Sequence, residues 1–508
     1  MKKFCLNGYN LTAKMLTKIS RKKIEVTIDD ECWTKIKKCR KMVEAKINKK
    51  EPMYGINTGI GEFSEVTLDE NQTEEFQNRL VYSHAAGIGE PMSEEIVRGA
   101  MCSRINVHCK GFSGGRKEVT EKLLEIINSD VVPHVCEKGS VGACGDLAPM
   151  SQIALTMMGE GKAFYKGKMM SAKNALKKAK IKPLRLKARD GLSIINGSNV
   201  LTTLSALTLN DAMLWLKTHD LSASMTLEAL NANMRPYKSR IHELRGFSGS
   251  QKVAKNITKL TKNSEILNSK RKKLQDAYSM RSTPQVAGTL RDSLSYALKQ
   301  VEIELNGVGD NPIFLTKEKE VLTGANFQGT PVALPMEMVG IGLSMVGILS
   351  ERRMNRLVNP ALSGGLPPFL TEDPGFNSGL MLSQYTADAL CVENRILSHP
   401  AANQSIPAAA DQEDFVSMGL TTAQKTKKIL ENCWGILAIE MLAAAQAIEL
   451  RGPEKPSLAI QEVISEIRKD IAHLDEDRPL FDDHNKMVEI LKTGKLVRLV
   501  EKKSGKLE

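Results

Sequence analysis

The chain has 508 residues, 42% hydrophobic and 26% charged, with a formal net charge of +12. That balance excludes a disordered or collagen-like chain and fits a folded protein of ordinary soluble composition, in domains of ~150 residues. The basic residues are scattered in short runs, with no zinc-finger spacing or RNP-like aromatic motif, so they are read as solvated surface and no nucleic-acid partner is expected.

Nine cysteines, an odd number without a Cys-x-x-Cys pair, follow the polar stretch Met1-Lys2-Lys3, and no signal peptide is expected. Reduced thiols in a cytoplasmic protein are expected. The longest apolar run, 332–350, is interrupted by Pro335, Glu337 and several glycines. It reads as a buried helix, and no membrane partner is expected.

Taken along the chain, residues 23–28 read as a strand and 31–48 as a helix, before a Gly-rich loop at Tyr54-Gly-Ile-Asn-Thr-Gly-Ile-Gly61. Helical periodicity covers 69–84, 94–108 and 117–129. A second Gly-rich loop spans Gly139–Gly145 and reaches Asp146, where a helix can begin. From Gly197 onward the pattern is long helices: 199–217, 221–232, 283–305, 332–355, 378–395 and 417–451. Their length predicts a bundle whose members are buried nearly all round. The Lys-rich stretch 248–273 is expected at the surface, and the charged stretch after Arg451 as a solvated segment.

The most informative stretch is Gly139-Ser-Val-Gly-Ala-Cys-Gly-Asp-Leu-Ala-Pro149. Read alone it is a small-residue turn feeding a helix, with a cysteine that its neighbours do not shield. It resembles the Gly-Ser-Val-Gly-Ala-Ser-Gly-Asp-Leu-Ala-Pro signature of the histidine and phenylalanine ammonia-lyase family. Further stretches are similar to that family in order along the chain. They are the Tyr54 loop; Gly191-Leu-Ser-Ile-Ile-Asn196-Gly; Gln275-Asp-Ala-Tyr278-Ser-Met-Arg281-Ser-Thr-Pro-Gln285; Asp310-Asn311-Pro312; and Gly324-Ala-Asn-Phe327.

The resemblance implies a mainly α fold. A smaller N-terminal mixed domain (1–200) would hold a self-made cofactor, and a long-helix bundle with a C-terminal segment would fill 201–508. It implies that Ala143, Cys144 and Gly145 cyclise to 4-methylidene-imidazol-5-one, with no external cofactor and no metal. Gly145 nitrogen would attack the Ala143 carbonyl, which needs a backbone without side-chain obstruction. Cys144 stands where the family has serine; losing hydrosulfide leaves the same dehydroalanine. A competing reading keeps Cys144 as a thiol in a lyase that eliminates a better leaving group unaided, such as that of a trimethylated histidine betaine.

Site roles follow from the same resemblance. Tyr54 would be a base on a mobile loop, for which a phenol needs a positive environment. Arg281 would clamp the substrate carboxylate, and Tyr278 would assist proton transfer. Asn196 would bond the cofactor's carbonyl oxygen, while Gln275 and Phe327 would border the substrate. Ser83-His84-Ala-Ala-Gly, Asn377-Ser-Gly-Leu-Met381 and Asp411-Gln-Glu413-Asp-Phe-Val-Ser-Met follow the histidine branch. A Glu413 carboxylate beside imidazole accepts an N–H, whereas beside a phenyl ring it would be unpaired.

Asp411 and Phe415 depart from the usual Asn and His, and Gly307-Val-Gly-Asp310 lacks a hydroxyl residue before Asp310. The expected reaction is elimination of ammonia from L-histidine to trans-urocanate, in a homotetramer whose partner is a small amino acid. The rivals are a tyrosine or phenylalanine lyase or aminomutase, the betaine lyase, and a catalytically dead scaffold.

Overall fold

The computed structural model describes residues 3–269 and 273–508, and the chain is mainly helical. It divides into two compact units. The first comprises Met1–Asn210, Ala297–Glu337 and Pro400–Gln424; the second comprises Asp211–Tyr296, Met338–His399 and Lys425–Glu508.

The first unit contains every strand among the described residues. Lys3–Leu6 pairs in parallel with Glu25–Ile28. Val131–Pro133, Lys162–Tyr165 and Lys168–Ser171 form an antiparallel three-stranded sheet. Ile313–Leu315 and Glu320–Leu322 form a hairpin. Helices dominate even here. Glu70–His84 starts on a capping box in which Asp69 accepts from the Gln72 N–H at 2.8 Å and Gln72 accepts from the Asp69 N–H at 3.0 Å. Glu94–Cys109 is buried from Ile96 to its end.

Asn199–Ala229, whose residues up to Asn210 belong to the first unit and whose remainder belongs to the second, runs as one helix through 218–220, where the sequence suggested a break. Thr218, His219 and Asp220 do not interrupt it because their side chains find partners. Thr218 Oγ1 donates to the Leu214 carbonyl at 2.9 Å, and Arg291 donates to Asp220 at 2.9 Å. Arg353 meets His219 Nε2 at 3.1 Å and makes a forked pair with Glu440, at 2.5 and 2.9 Å.

Two expectations change. Ser248–Leu260 is an amphipathic helix with Val253, Ala254, Ile257 and Leu260 buried, so only one face is surface. Beyond Arg451 the chain forms Leu458–Ile467, Phe481–Lys492 and Lys495–Ser504, each with a buried apolar face. Their charges had masked the apolar periodicity.

Thr330–Val358 and Gly419–Arg451 are long and apolar enough to cross a membrane, but 67% and 83% of their most apolar windows are buried within the structure. They are core helices.

Candidate active site

The signature loop is a tight turn. Gly142 and Gly145 bridge each other across Ala143-Cys144, with φ of +79° and +77°. Both left-handed positions suit glycine. A Cβ on Gly145 would overlap the Gly197 backbone, and one on Gly142 would overlap Ser417 Oγ. Two further bonds fix the turn: Gly197 N–H donates to the Cys144 carbonyl at 3.2 Å, and Asp146 N–H donates to the Gly197 carbonyl at 2.9 Å. Helix Leu147–Met158 starts at the next residue. Asp146 itself is buried, accepting from Ser140 Oγ at 3.0 Å and Leu201 N–H at 2.8 Å. Burial pushes its carboxyl up to about 6.

Cys144 opens onto a cavity of about 580 Å³, whose lining includes Tyr54, Thr58, Asn311, Phe327, Gln412 and Glu413. That volume accommodates an amino acid. Cys144 Sγ donates to Glu413 Oε1 at 3.2 Å. Glu413 pairs with no Lys or Arg among the described residues. It is set by reciprocal bonds with Ala408 at 3.0 and 3.2 Å that close a loop in which Ala409, Ala410 and Asp411 all have positive φ. Asp411 and Phe415 are exposed and do not line the cavity.

Tyr54 Oη accepts the Gly61 N–H at 3.0 Å. Its surroundings differ from those a basic phenol needs. Burial raises its pKa, the Gly61 bond opposes this, and Cys144 and Glu413 raise it further, with Arg189 a weak counterweight. Gln77, which the sequence reading passed over, is fully buried and ties this loop down. It donates to the Gly55 carbonyl at 3.2 Å and accepts from Leu192 N–H at 3.3 Å.

Asn196 caps helix Asp190–Ile195 and donates through Nδ2 to the Asn311 carbonyl at 2.8 Å. Its Oδ1 is buried without a partner. Behind it lies an ion cluster that the motifs did not reveal: Asp310 bonds Arg104 at 2.7 Å and Arg189 at 2.8 Å, all three fully buried. Arg104 also donates to the carbonyls of Asn196 at 2.7 Å and Gly309 at 3.1 Å. Arg189 donates to those of Ser113 at 2.7 Å and Asn311 at 3.0 Å. Asp310 thus needs no neighbouring hydroxyl, and a Cβ at Gly309 would lie 2.9 Å from Glu304 Oε1.

His84 ends helix Glu70–His84 and does not line the cavity. Its Nδ1 meets the Leu80 carbonyl at 2.8 Å, which places the proton there and leaves Nε2 as an acceptor. Burial lowers its pKa, the Leu80 bond raises it, and the charge of Glu413 raises it further.

Gln275, Tyr278, Arg281 and Met381 belong to the second unit. Tyr278 and Gln275 are exposed. Arg281 lies over the Tyr278 ring at 4.5 Å, and its buried Nε has no partner. Met381 opens helix Met381–Leu397.

The sequence model for aromatic amino acid lyases matches residues 11–469. A histidine ammonia-lyase of Alkaliphilus metalliredigens is 42% identical over 503 residues, covering 99% of each chain. The solved histidine ammonia-lyase of Trypanosoma cruzi is 35% identical with a TM-score of 0.92, covering 98% of this chain and 95% of its own. A tyrosine aminomutase of Streptomyces globisporus is 34% identical with a TM-score of 0.95, covering all of both chains.

Proposed function

Because the chain belongs to the aromatic amino acid lyase family, we propose that it eliminates ammonia from L-histidine to give trans-urocanate. The observation that carries this reading is Glu413. It is a carboxylate on the wall of the cavity, without a cationic partner among the described residues, and beside a neutral thiol. An imidazole N–H satisfies it; a phenyl ring leaves it desolvated and unpaired.

The Ala143-Cys144-Gly145 turn fits a self-made methylidene-imidazolone. Positive φ at Gly142 and Gly145 folds the tripeptide on itself; Asn196, whose donor Nδ2 is given to the Asn311 carbonyl and whose free Oδ1 can only accept, adds no support of its own. Such a group supplies an electrophile that makes the substrate's amine a better leaving group. Tyr54, held by the Gly61 N–H, takes the β-proton. The family resemblance assigns the substrate carboxylate to Arg281, whose buried Nε has no partner and whose guanidinium lies over the Tyr278 ring within the second unit. Phe327 borders the substrate ring, its carbonyl held by Ser198 Oγ at 2.7 Å, and Gln275 and Met381, on the second unit, keep the substrate-binding roles that the family resemblance implies.

The enzyme is cytoplasmic and homotetrameric in this reading. Nine free thiols support the first. The second is supported by exposed apolar residues at helical spacing: Met338, Ile341 and Met345 on Thr330–Val358, and Tyr385, Val392 and Ile396 on Met381–Leu397.

Incubation of the purified protein with L-histidine, followed at the urocanate band, tests the reaction. Absorbance growing instead with tyrosine or phenylalanine would replace the substrate. Light scattering on a sizing column tests the tetramer.

A further inference from the structure

We infer that Glu413 acts in maturation as well as in substrate binding: its carboxylate holds the Cys144 thiol protonated and oriented, so that sulfur leaves when the Ala143-Cys144-Gly145 unit closes. This rests on the reading of that turn as self-processing.

The geometry is specific. Cys144 sits at the corner of the turn bridged by Gly142 and Gly145, and Glu413 Oε1 accepts its S–H at 3.2 Å. That is the one hydrogen bond of Sγ among the described residues. The main chain of Glu413 is held by the paired backbone bonds with Ala408, which sets where its side chain starts.

The chemistry explains why a proton must stay on sulfur. In ring closure, the Gly145 N to Ala143 C bond forms and the Gly145 N–H proton passes to the Ala143 oxygen. That hydroxyl then leaves as water with the Cys144 N–H proton. In elimination, the Cys144 Cα–H and Cβ–Sγ bonds break and Cα=Cβ forms. Sulfur departs as hydrosulfide and leaves as hydrogen sulfide with the Cα proton. The net loss is one water and one hydrogen sulfide, with no change of oxidation state and no co-reactant.

From a thiolate, sulfur would have to depart as a sulfide dianion, which is no leaving group. From a thiol it departs as hydrosulfide. Burial and then the negative charge of Glu413 push the Cys144 thiol well above its ordinary range, so the productive form prevails. A serine hydroxyl does not ionise near neutral pH and needs no such guard. Dependence on Glu413 should therefore be a property of the cysteine.

Cell-free synthesis of the full chain, with intact mass and released sulfide followed over time, tests this. In the parent, mass should fall by one water plus one hydrogen sulfide, with stoichiometric sulfide. Glu413→Ala should slow the loss about tenfold, the worth of one hydrogen bond to a charged group. Glu413→Gln, which keeps an oxygen acceptor, should process faster than Glu413→Ala. In a Cys144→Ser background, Glu413→Ala should leave the rate of double water loss unchanged.

Equal rates for parent and Glu413→Ala, or equal slowing in the serine background, would overturn the inference. So would Glu413→Gln no faster than Glu413→Ala, or a parent that shows no mass loss. A processed parent that leaves L-histidine untouched would instead refute the substrate while leaving the maturation role standing.

Discussion

Asp310→Asn is the sharpest probe of the frame behind the site. Asp310 compensates Arg104 and Arg189, and all three side chains are fully buried. Asparagine keeps the shape, but it removes the one anion of the cluster and turns an N–H group toward a guanidinium. Breaking a buried pair by neutralising one partner costs ~3–5 kcal/mol, a large share of the ~5–15 kcal/mol that stabilises a typical fold.

The loss should also be local. Arg104 and Arg189 between them hold the carbonyls of Ser113, Asn196, Gly309 and Asn311. Amide exchange in 189–197 and 309–312 should therefore accelerate by more than a hundredfold. Urea unfolding and hydrogen exchange measure the two effects. The control is Glu31→Gln, which removes an exposed i,i+4 pair with Lys35 at 2.8 Å and should change stability by less than ~0.5 kcal/mol. A loss below ~1 kcal/mol for Asp310→Asn, or exchange unchanged in those segments, would refute the account.

Other consequences are as direct. Ala410→Gly should raise the melting temperature: a left-handed non-glycine residue costs ~1–2 kcal/mol, and the added freedom of the unfolded chain offsets only ~0.5–1 of that. An unchanged or lower melting temperature would contradict the strain. Tyr54→Phe should cut kcat by ~100-fold or more with the fold intact. Because burial raises the Tyr54 pKa, kcat/KM should keep rising with pH into the alkaline range; a plateau at neutral pH would point to another base.

The Asp146 carboxyl, at about 6 when folded against 3.8 as its ordinary value, holds its proton more tightly in the folded state. Its contribution to stability is full below the ordinary value and is lost as pH rises through 6, by roughly 3 kcal/mol. Asp146→Asn should flatten the urea midpoint between pH 4 and 7, and an unaltered slope would exclude Asp146 as its source.

What was legible in the sequence was local. Glu70–His84 announces itself by Asp69 and Gln72, three residues apart and bonded to each other. Thr283–Leu305 follows from apolar periodicity alone. What was not legible depends on partners far along the chain. Thr218-His219-Asp220 looks like a break until Arg291 and Arg353 arrive from 71 and 134 residues away. Arg104 and Asp310 are 206 residues apart, and neither position carries a spacing signal. Ala409 and Ala410 adopt left-handed conformations that alanine does not advertise, because the Ala408–Glu413 bonds impose them. Tyr54, Asn196, Phe327 and Glu413 could be singled out only through motif resemblance; taken singly, each is an ordinary packing or turn residue.

The polar inventory around the cavity also bears on the substrate. Glu413 presents a carboxylate on the cavity wall, while the acceptors His84 Nε2 and Asn196 Oδ1 lie outside that lining. These groups ask for donors. The thiol of Cys144 now supplies one to Glu413, and in the proposed maturation that donor leaves with the sulfur. Afterwards Glu413, half-buried on the cavity wall, faces the substrate space without that donor, and a partly desolvated carboxylate without a donor is costly. A phenyl side chain brings no donor to Glu413, whereas an imidazole or imidazolium presents an N–H to it. The step that would create the electrophile is therefore also the step that leaves Glu413 in need of an imidazole N–H.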